Sequence, residues 1–347
     1  MKKFISIALK VLVIALCFTV IFQKINFRDV AEKLADTRLS FVLLAFLTVL
    51  CEPVVMAMKW NLLLKTKGIN ARLSNLIRVI FTSNFLGVVI PTSVGADALR
   101  LLMLKGQQHS LTHTASSLIA DRVLAVLALV VLSFSASLFI WQDIAAKQIL
   151  WAVAGLAVVI IALIGALASP LPSALVPLVQ AHLLPLALRL LPPGGRGAVE
   201  RGVGRALHKL VDVHDSFRAF GHSLPTVGVV FGMNLAIQVL RTVQVHILFR
   251  AAHYPVPFSQ EIVFVPVIIL LTLLPISYFG LGIKEGAFLF FFGQVGVPPA
   301  ICLTVSFITY ILIFSALLPG AYFFLRRPPE LPRVFFSGRR PPGSEAT

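Results

Sequence analysis

The chain has 347 residues, of which 58% are hydrophobic and 13% are charged, and its formal net charge at pH 7 is +16. This composition excludes a soluble globular protein and predicts an integral membrane protein built from apolar helices. The basic excess does not indicate nucleic acid binding, because the Lys and Arg residues gather in loops beside apolar runs, where they orient the chain and meet anionic lipid.

Six apolar runs along the chain are long enough to cross a bilayer, which takes about 20 apolar residues in a helix. In chain order they are Phe4–Phe22, Leu39–Met58, Ala115–Ile140, Ile149–Ala168, Thr226–Phe249 and Pro299–Leu325. The first run follows two lysines and lacks a small-x-small cleavage pattern, so we expect an uncleaved anchor with a cytoplasmic amino terminus. We predict one transmembrane domain over residues 1–325 and a basic, proline-rich cytoplasmic tail over residues 326–347.

Two further apolar stretches are each interrupted in the middle by glycine, proline and a charged pair. The first reads IRVIFTSNFLGVVIPTSVGADALRLLML from Ile77 to Leu104, and the second reads EIVFVPVIILLTLLPISYFGLGIKEGAFLFFFGQ from Glu261 to Gln294. Neither supplies a full span on one side of its break, so both predict discontinuous helices. Backbone left unpaired at membrane depth is tolerated only where it is buried in protein or lines a cavity. Such paired interruptions therefore indicate a transport-type binding site between the two halves of the chain.

The distribution of basic residues predicts how these stretches enter the membrane. Basic clusters follow the second and fourth spans and end the chain, and by the positive-inside rule all three should be cytoplasmic. They share one side only if each broken stretch crosses an even number of times. The first stretch then enters from the cytoplasm and the second from the outer face, as an inverted repeat would give. Two all-α architectures remain open: six full spans plus two re-entrant hairpins, or eight spans in which each hairpin is two tilted short helices.

Charged residues at membrane depth are the candidates for function, because each costs about 2.5 to 3.5 kcal/mol at the centre of a span on insertion scales. They occur as neighbours in the sequence: Asp97 with Arg100, Asp121 with Arg122, and Lys284 with Glu285. The spacing of three places the first pair on one face of the helix after the first break. Each pair also has a structural interpretation, as a helix cap, a snorkelling pair at the membrane boundary, or a carboxylate favoured by the helix dipole. Glu52 is a further candidate, and with Pro53 it is expected to interrupt the second span.

The residues at the two breaks are of the types expected where a helix must stop and turn. They are Pro91, Gly95, Pro275, Ser277, Gly280, Gly282 and Gly286. A proline ends the preceding half-helix for steric reasons, and glycines permit a tight turn or a hinge. A serine beside a break can satisfy backbone groups that the break leaves free.

The half-helices that follow the breaks predict a site for an anion. A helix that begins at membrane depth offers free N–H groups and partial positive charge, so Gly95–Leu99 and Gly282–Gly286 can each hold a phosphate oxygen. Arg100, Arg122 and Lys284 would add full positive charge beside the same headgroup. This pattern favours a lipid with an anionic headgroup as the substrate, and we expect no cofactor, no metal site and no nucleic acid partner.

At these residues the chain resembles the flippase-like transmembrane domain of lysylphosphatidylglycerol synthetases. The runs NFLGVVIPTSVGADALR, SSLIADRVLAVLAL and LPISYFGLGIKEGAF look like the three signature regions of that family. By position, the motif residues of the family fall on Gly95, Ala96, Asp97 and Arg100, on Asp121 and Arg122, and on Pro275, Ser277, Gly280, Gly282, Lys284 and Glu285. The chain departs from the motifs with Ala96 for Gly, Asp121 for Glu and Lys284 for Arg. Lys284 keeps the charge of an Arg but loses its bidentate fork.

The resemblance implies translocation of a lipid or a polyprenyl-linked glycan across the cytoplasmic membrane. Separately, the positive-inside rule predicts that both chain termini are cytoplasmic. It does not imply synthesis, because the chain lacks the soluble aminoacyl-transferring domain of the synthetases. Two alternatives from other classes remain. One is an intramembrane transferase that uses a polyprenyl phosphate, for which no Asp-x-Asp metal motif or closely spaced acidic pair is present. The other is a non-transporting membrane scaffold. In that case, replacing the charged residues at membrane depth would change only the stability of the protein.

Overall fold

The computed structural model describes residues 27–89, 95–105, 110–139, 211–212, 214–273, 277 and 280–326, together with residues 19, 155, 169, 182, 203–204 and 207. The regular structure of this part is helical. In chain order the helices are α1 Phe27–Ala35, α2 Leu39–Lys65, α3 Leu73–Val89, α4 Gly95–Lys105, α5 Leu111–Phe139, α6 Leu224–Ala251, α7 Phe258–Thr272, α8 Ile283–Gly293, α9 Pro299–Ser315 and α10 Leu318–Arg326. A single 3-10 turn, Ala219–His222, precedes α6.

Four of the predicted spans are confirmed by helices that are long and apolar enough to cross a membrane. They are α2, α5, α6 and the stretch Pro299–Arg326, which comprises α9, α10 and the short turn between them. The predicted spans Phe4–Phe22 and Ile149–Ala168 and the predicted tail 326–347 lie outside the described residues, apart from single positions. Before the second span lies the short amphipathic helix α1, whose Val30 packs against Leu303 of α9.

Two prolines act differently from each other in the long helices. Pro53 does not interrupt α2, contrary to expectation, because the helix continues without a break on both sides of it. A proline removes one backbone hydrogen bond, and the packing of α2 along α6 holds the helix together there. The last span does break, between Ser315 and Leu318. Pro319 has no N–H to offer the carbonyl of Ser315, so α9 ends at that residue.

The first interrupted stretch forms two short helices, α3 and α4, as predicted. The chain enters α3 and leaves α4 at the same end of the bundle. This end, the basic end, is formed by the loop 66–72, the start of α5 and residues 216–223. The Lys67 ammonium donates to the carbonyl oxygen of Ser216, and Ser116 and Ser216 share a hydrogen bond of 2.9 Å. Leu104, near the end of α4, lies in one buried cluster with Leu76 at the start of α3. Both arms of the first stretch therefore reach the basic end.

The second interrupted stretch also forms two short helices, and it opens at the opposite end. There the N–H of Arg38, before α2, donates to the carbonyl oxygen of Ala251 at the end of α6 (3.0 Å). α7 begins beside that end, and the chain after α8 returns to it, because the Tyr254 hydroxyl donates to the carbonyl oxygen of Gly296 (2.9 Å). α3 and α7, of 17 and 15 residues, extend only about 25 Å or less and fall short of a bilayer core of about 30 Å. The geometry favours re-entrant hairpins over additional full spans.

α6 is the central packing helix of the bundle. α6 lies against α2, α5, α7 and α9. Its last turns enter the main apolar core together with α7, α8 and α9. That core contains phenylalanines in tilted and edge-to-face ring contact, such as Phe249, Phe264 and Phe292. The first hairpin packs separately, with α3 against α10 and α4 against α5. Part of the main core lines the space between the two hairpins, and several polar side chains gather at the same place.

Candidate functional site

A cavity of about 360 Å³ lies between the two hairpins, inside the helix bundle. Both hairpins contribute to its wall, together with α2, α6, α9 and the turn before α10. Its lining residues are Val49, Glu52, Pro53, Met56, Asn84, Arg241, Gln244, Val245, Val265, Ile268, Ile269, Thr272, Leu273, Lys284, Phe288, Thr309, Tyr310, Ile313, Ala316 and Leu317. The wall is mainly apolar, with a few polar and charged groups, which is the usual character of a small-molecule site.

Lys284 brings an amino group to this cavity from the first turn of α8. Its Nζ lies 4.1 Å from the centre of the Tyr310 ring and donates a long contact of 3.5 Å to the carbonyl oxygen of Ser306. Within the described part of the chain, no carboxylate forms an ion pair with it. A cation in an apolar wall is normally paired with an anion. A bound anion in the cavity would supply the partner that Lys284 lacks among the described residues.

Arg241 is the second basic group of the cavity, and it comes from the middle of α6. Its guanidinium forms a two-pronged contact with Glu52 of α2: Nε donates to Oε2 at 3.1 Å, and Nη2 donates to Oε1. Nη1 donates to Gln238 one turn earlier at 3.4 Å. This fork geometry is the one that Arg uses for carboxylates and phosphates alike. Glu52 thus occupies the position that a phosphate would take on Arg241.

A network of charges connects the cavity to the first hairpin. Arg100 is buried, and its Nη2 donates to Oδ1 of the cavity residue Asn84 at 2.8 Å. Its Nε donates to the Ser83 hydroxyl (3.1 Å) and its Nη1 donates to Asp97 Oδ1 (3.0 Å). The other oxygen of Asp97 accepts from Nε of Arg122 (2.8 Å). One carboxylate therefore faces two guanidinium groups, and half of the Arg122 side chain is exposed.

Asp121 belongs to a different cluster from its sequence neighbour Arg122. Its Oδ1 lies 2.8 Å from the Nζ of Lys59, and both side chains are buried. Lys59 also donates to Oδ1 of Asn234 at 2.6 Å. This ion pair links α2, α5 and α6 behind the cavity, and it accounts for Asp121 by structure alone.

Glu285 is fully buried and has two hydrogen bonds inside the protein. Its Oε2 accepts from the backbone N–H of Gly282 at 2.7 Å, and its Oε1 accepts from the Ser306 hydroxyl at 3.0 Å. The first contact satisfies a donor at the beginning of α8, which is the carboxylate half of a capping box. The N-terminus that the sequence offers to a phosphate is therefore already occupied by Glu285.

The turn before α8 is made possible by glycine. Gly280 and Gly282 have φ values of 73° and 83°, which L residues rarely adopt. A Cβ on Gly280 would also approach Thr272 at 2.9 Å, whereas Gly286 faces open space. Gly95 begins α4 as expected. Ser277 is buried, and its hydroxyl has no hydrogen-bond partner among the residues that the structure describes. Pro91 and Pro275 lie outside them.

The sequence interpretation missed Arg241, which lines the cavity, and Lys59, the buried partner of Asp121. A signal was present, because Asn234, Gln238 and Arg241 are polar and follow the spacing of one helix face within an otherwise apolar span. A polar stripe of this kind faces the interior of a membrane bundle. The partner of each residue was not readable, because Lys59 and Asn234 are 175 positions apart in the sequence.

These features define a polytopic helical membrane protein with two broken-helix hairpins and a cavity between them that carries charged groups. The chain matches the family model of the lysylphosphatidylglycerol synthase TM region over residues 7–320, and it belongs to that family. It is also similar to a UPF0104 membrane protein of Pyrococcus horikoshii, with 32% identity over 108 residues. That match covers 30% of this chain and 32% of the archaeal protein, so it spans about a third of either length.

Proposed function

We propose that the protein binds the anionic headgroup of a lipid in the cavity between the hairpins and moves that lipid across the cytoplasmic membrane. The observation that carries the proposal is Lys284, whose amino group faces an apolar cavity and has no carboxylate partner in the described residues. A phosphate in the cavity would give this group a counter-ion. The membership of this chain in the family of the lysylphosphatidylglycerol synthase TM region also supports a lipid-related role.

The second basic group of the cavity supports the same headgroup chemistry. Arg241 holds Glu52 through a fork that fits a phosphate equally well. A phosphate that enters the cavity can therefore displace Glu52 and bridge Arg241 and Lys284. The apolar side chains of the wall, such as Val265 and Phe288, would contact the first carbons of the lipid tails.

The arrangement of the hairpins supports movement between the two membrane faces. The first hairpin opens at the basic end and the second at the opposite end, and both contribute to one cavity. The Asp97–Arg100–Arg122 network lies on the side of the first hairpin, and Arg122 is half exposed there. A headgroup would contact Arg122 first and then reach the cavity through Asn84. We place both chain termini and the basic end in the cytoplasm.

Transbilayer movement of a fluorescent phosphatidylglycerol in proteoliposomes tests the proposal directly. The informative variants are Lys284→Met, which removes the amino group, and Arg241→Lys, which keeps the charge and removes the fork. Exposed residues at the helix ends provide matched controls, Lys65→Met and Arg250→Lys. We expect movement in the wild type and both controls and a loss of roughly tenfold or more in both cavity variants, as for a charge-assisted contact of 1.5 to 3 kcal/mol.

Three outcomes would contradict the proposal. The first is wild-type movement in both cavity variants. The second is equally fast movement of a zwitterionic phosphatidylcholine, which would show that the charges do not select the headgroup. The third is no movement of any lipid, with a new product formed when a polyprenyl phosphate sugar is supplied, which would establish the transferase instead.

A further inference from the structure

A histidine–glutamate pair lies outside the cavity, at the opposite end of the bundle from the basic end. His246 is near the end of α6, and Glu261 is in the first turn of α7. The distance from His246 Nδ1 to Glu261 Oε2 is 2.7 Å. The Glu261 side chain is fully buried, whereas 22% of the His246 side chain is exposed. Neither residue has a part in holding the headgroup.

Among the described residues, His246 is the one hydrogen-bond partner of the Glu261 carboxyl group. Glu261 Oε1 is buried and lacks a hydrogen-bond partner in the described part of the chain. The helix packed on the first turns of α7 presents apolar side chains there, because phenylalanines of α8 contact Phe264, three residues after Glu261. A buried carboxylate in such a setting requires a compensating proton or cation.

The charged groups near the pair are few. Arg250, one turn after His246 on α6, is exposed and acts electrostatically on both members of the pair. Arg38, exposed before α2, lies at the same end of the bundle through its backbone contact with Ala251. The edge of the His246 ring meets Phe258 at 5.6 Å between ring centres. Neither arginine forms an ion pair with Glu261 in the structure described, so His246 is its immediate partner.

The pair is joined to the cavity through two helices. Val245, which precedes His246, and Val265, one turn after Glu261, both line the cavity. One turn of helix is a rise of about 5.4 Å. The far end of α7, at Thr272 and Leu273, also lies in the cavity wall. A change in the contact between α6 and α7 at the pair therefore reaches the headgroup site along a single short helix.

We propose that His246 and Glu261 form a proton-binding site that couples lipid movement to a proton gradient, an inference that rests on the proposed function. In the empty state, neutral His246 donates Nδ1–H to the Glu261 carboxylate. A proton from water forms an N–H bond at Nε2, and the pair becomes an imidazolium and a carboxylate with no net charge. Release breaks that bond and returns the proton to water. Loading thus removes the uncompensated buried charge and favours close contact between α6 and α7.

Proteoliposomes that contain the full chain test the coupling. Movement of fluorescent phosphatidylglycerol is measured with equal pH on both sides and with a pH gradient imposed in each direction. The readout is the rate under one gradient direction divided by the rate under the other, taken for every variant in the order that gives a value above one if the wild type is coupled. Differences in the amount of folded protein cancel in this ratio. The variants are Glu261→Gln and His246→Gln, and the control is His253→Asn. His253 is an exposed histidine seven positions away with φ of 58°, a conformation that Asn tolerates well.

We expect a ratio above one for the wild type and for His253→Asn, and a ratio of one for both pair variants. The coupling is wrong if the wild type moves lipid at equal pH but its ratio is one, or if both pair variants keep the wild-type ratio. A wild type that moves no lipid under any condition overturns the proposed function and the coupling with it. The failure of the two proposals is thus distinguished by the measurement at equal pH.

Discussion

Gly320 of α10 lies directly against the backbone of Phe81 in α3. A Cβ at Gly320 would stand 2.2 Å from the Phe81 carbonyl oxygen, and neither backbone can yield as a flexible side chain would. We expect Gly320→Ala to lower the free energy of unfolding by about 1 to 3 kcal/mol or more, as for an overpacked core. Thermal unfolding in detergent measures this. Gly232→Ala in α6, which faces open space, should be neutral or slightly stabilising, and equal losses in both would refute the close contact.

Replacement of Lys284 should change stability and activity in opposite directions. The amino group lies in an apolar wall without a carboxylate partner in the described residues. Lys284→Met therefore should raise the free energy of unfolding by about 0.5 to 2 kcal/mol, as is common when a functional residue is replaced, while lipid movement falls. Thermal unfolding and transport are measured on the same preparation. If the variant is less stable than the wild type, the amino group serves the fold and has no need of an anion.

The Lys59–Asp121 pair should show strong coupling in a double-mutant cycle. Both side chains are buried and 2.8 Å apart. Lys59→Met or Asp121→Leu alone leaves a buried charge and should lower the free energy of unfolding by about 3 to 5 kcal/mol. The double variant should lose much less than the sum of the two. The exposed pair Arg28–Glu32 is the control, for which no measurable coupling is expected. Additive losses at the buried pair would show that the two residues act separately.

Loss of the Glu285 cap should destabilise the second hairpin. Glu285→Met keeps the approximate size of the side chain but has no oxygen to accept the N–H of Gly282 as Oε2 does, whereas a Gln would keep a capping oxygen. We expect a loss of about 0.5 to 2 kcal/mol in the free energy of unfolding, together with slower lipid movement. A variant that loses movement with unchanged thermal unfolding would instead assign Glu285 to the substrate.

The orientation of the bundle can be tested by thiol labelling. The native cysteines Cys17, Cys51 and Cys302 are replaced by Ala, and one exposed position at each end is changed to Cys: Ser110 at the basic end and Ser259 at the start of α7. We expect a membrane-impermeant reagent to label the Ser259→Cys variant in intact cells, and the Ser110→Cys variant only after permeabilisation. The reverse pattern would invert the protein in the membrane. Labelling of both in intact cells would contradict opposite exposure of the two ends.

The breaks were readable in the sequence because their cause is local. Glycine and proline act on the backbone within a few residues, so the limits of α4 and α8 follow from Gly95 and Gly282. The contact between Asp97 and Arg100 was also readable, since residues three apart share a helix face. Pro53 shows the limit of such reasoning, because long-range packing along α6 decided whether α2 continued.

The partners of adjacent charges were not readable, for a geometric reason. Neighbouring residues on a helix point in directions about 100° apart and do not face each other. Asp121 therefore contacts Lys59 while Arg122 contacts Asp97. In the same way Glu285 turns to Gly282 while Lys284 faces the cavity. The rotation of each helix within the bundle depends on its neighbours, and the sequence does not state it.

Gly87 lies opposite Ala96 where the two arms of the first hairpin meet, and a Cβ at position 87 would approach the Ala96 Cβ at 2.9 Å. The arms therefore have room for one methyl group at this crossing. Ala96, one of the departures from the family motif, can be present because position 87 has none. Related chains should accordingly alternate: a residue larger than glycine at either position requires glycine at the other. Substitution in one arm of the hairpin is thus tied to the other arm, because a larger residue at position 87 requires that Ala96 first change to Gly.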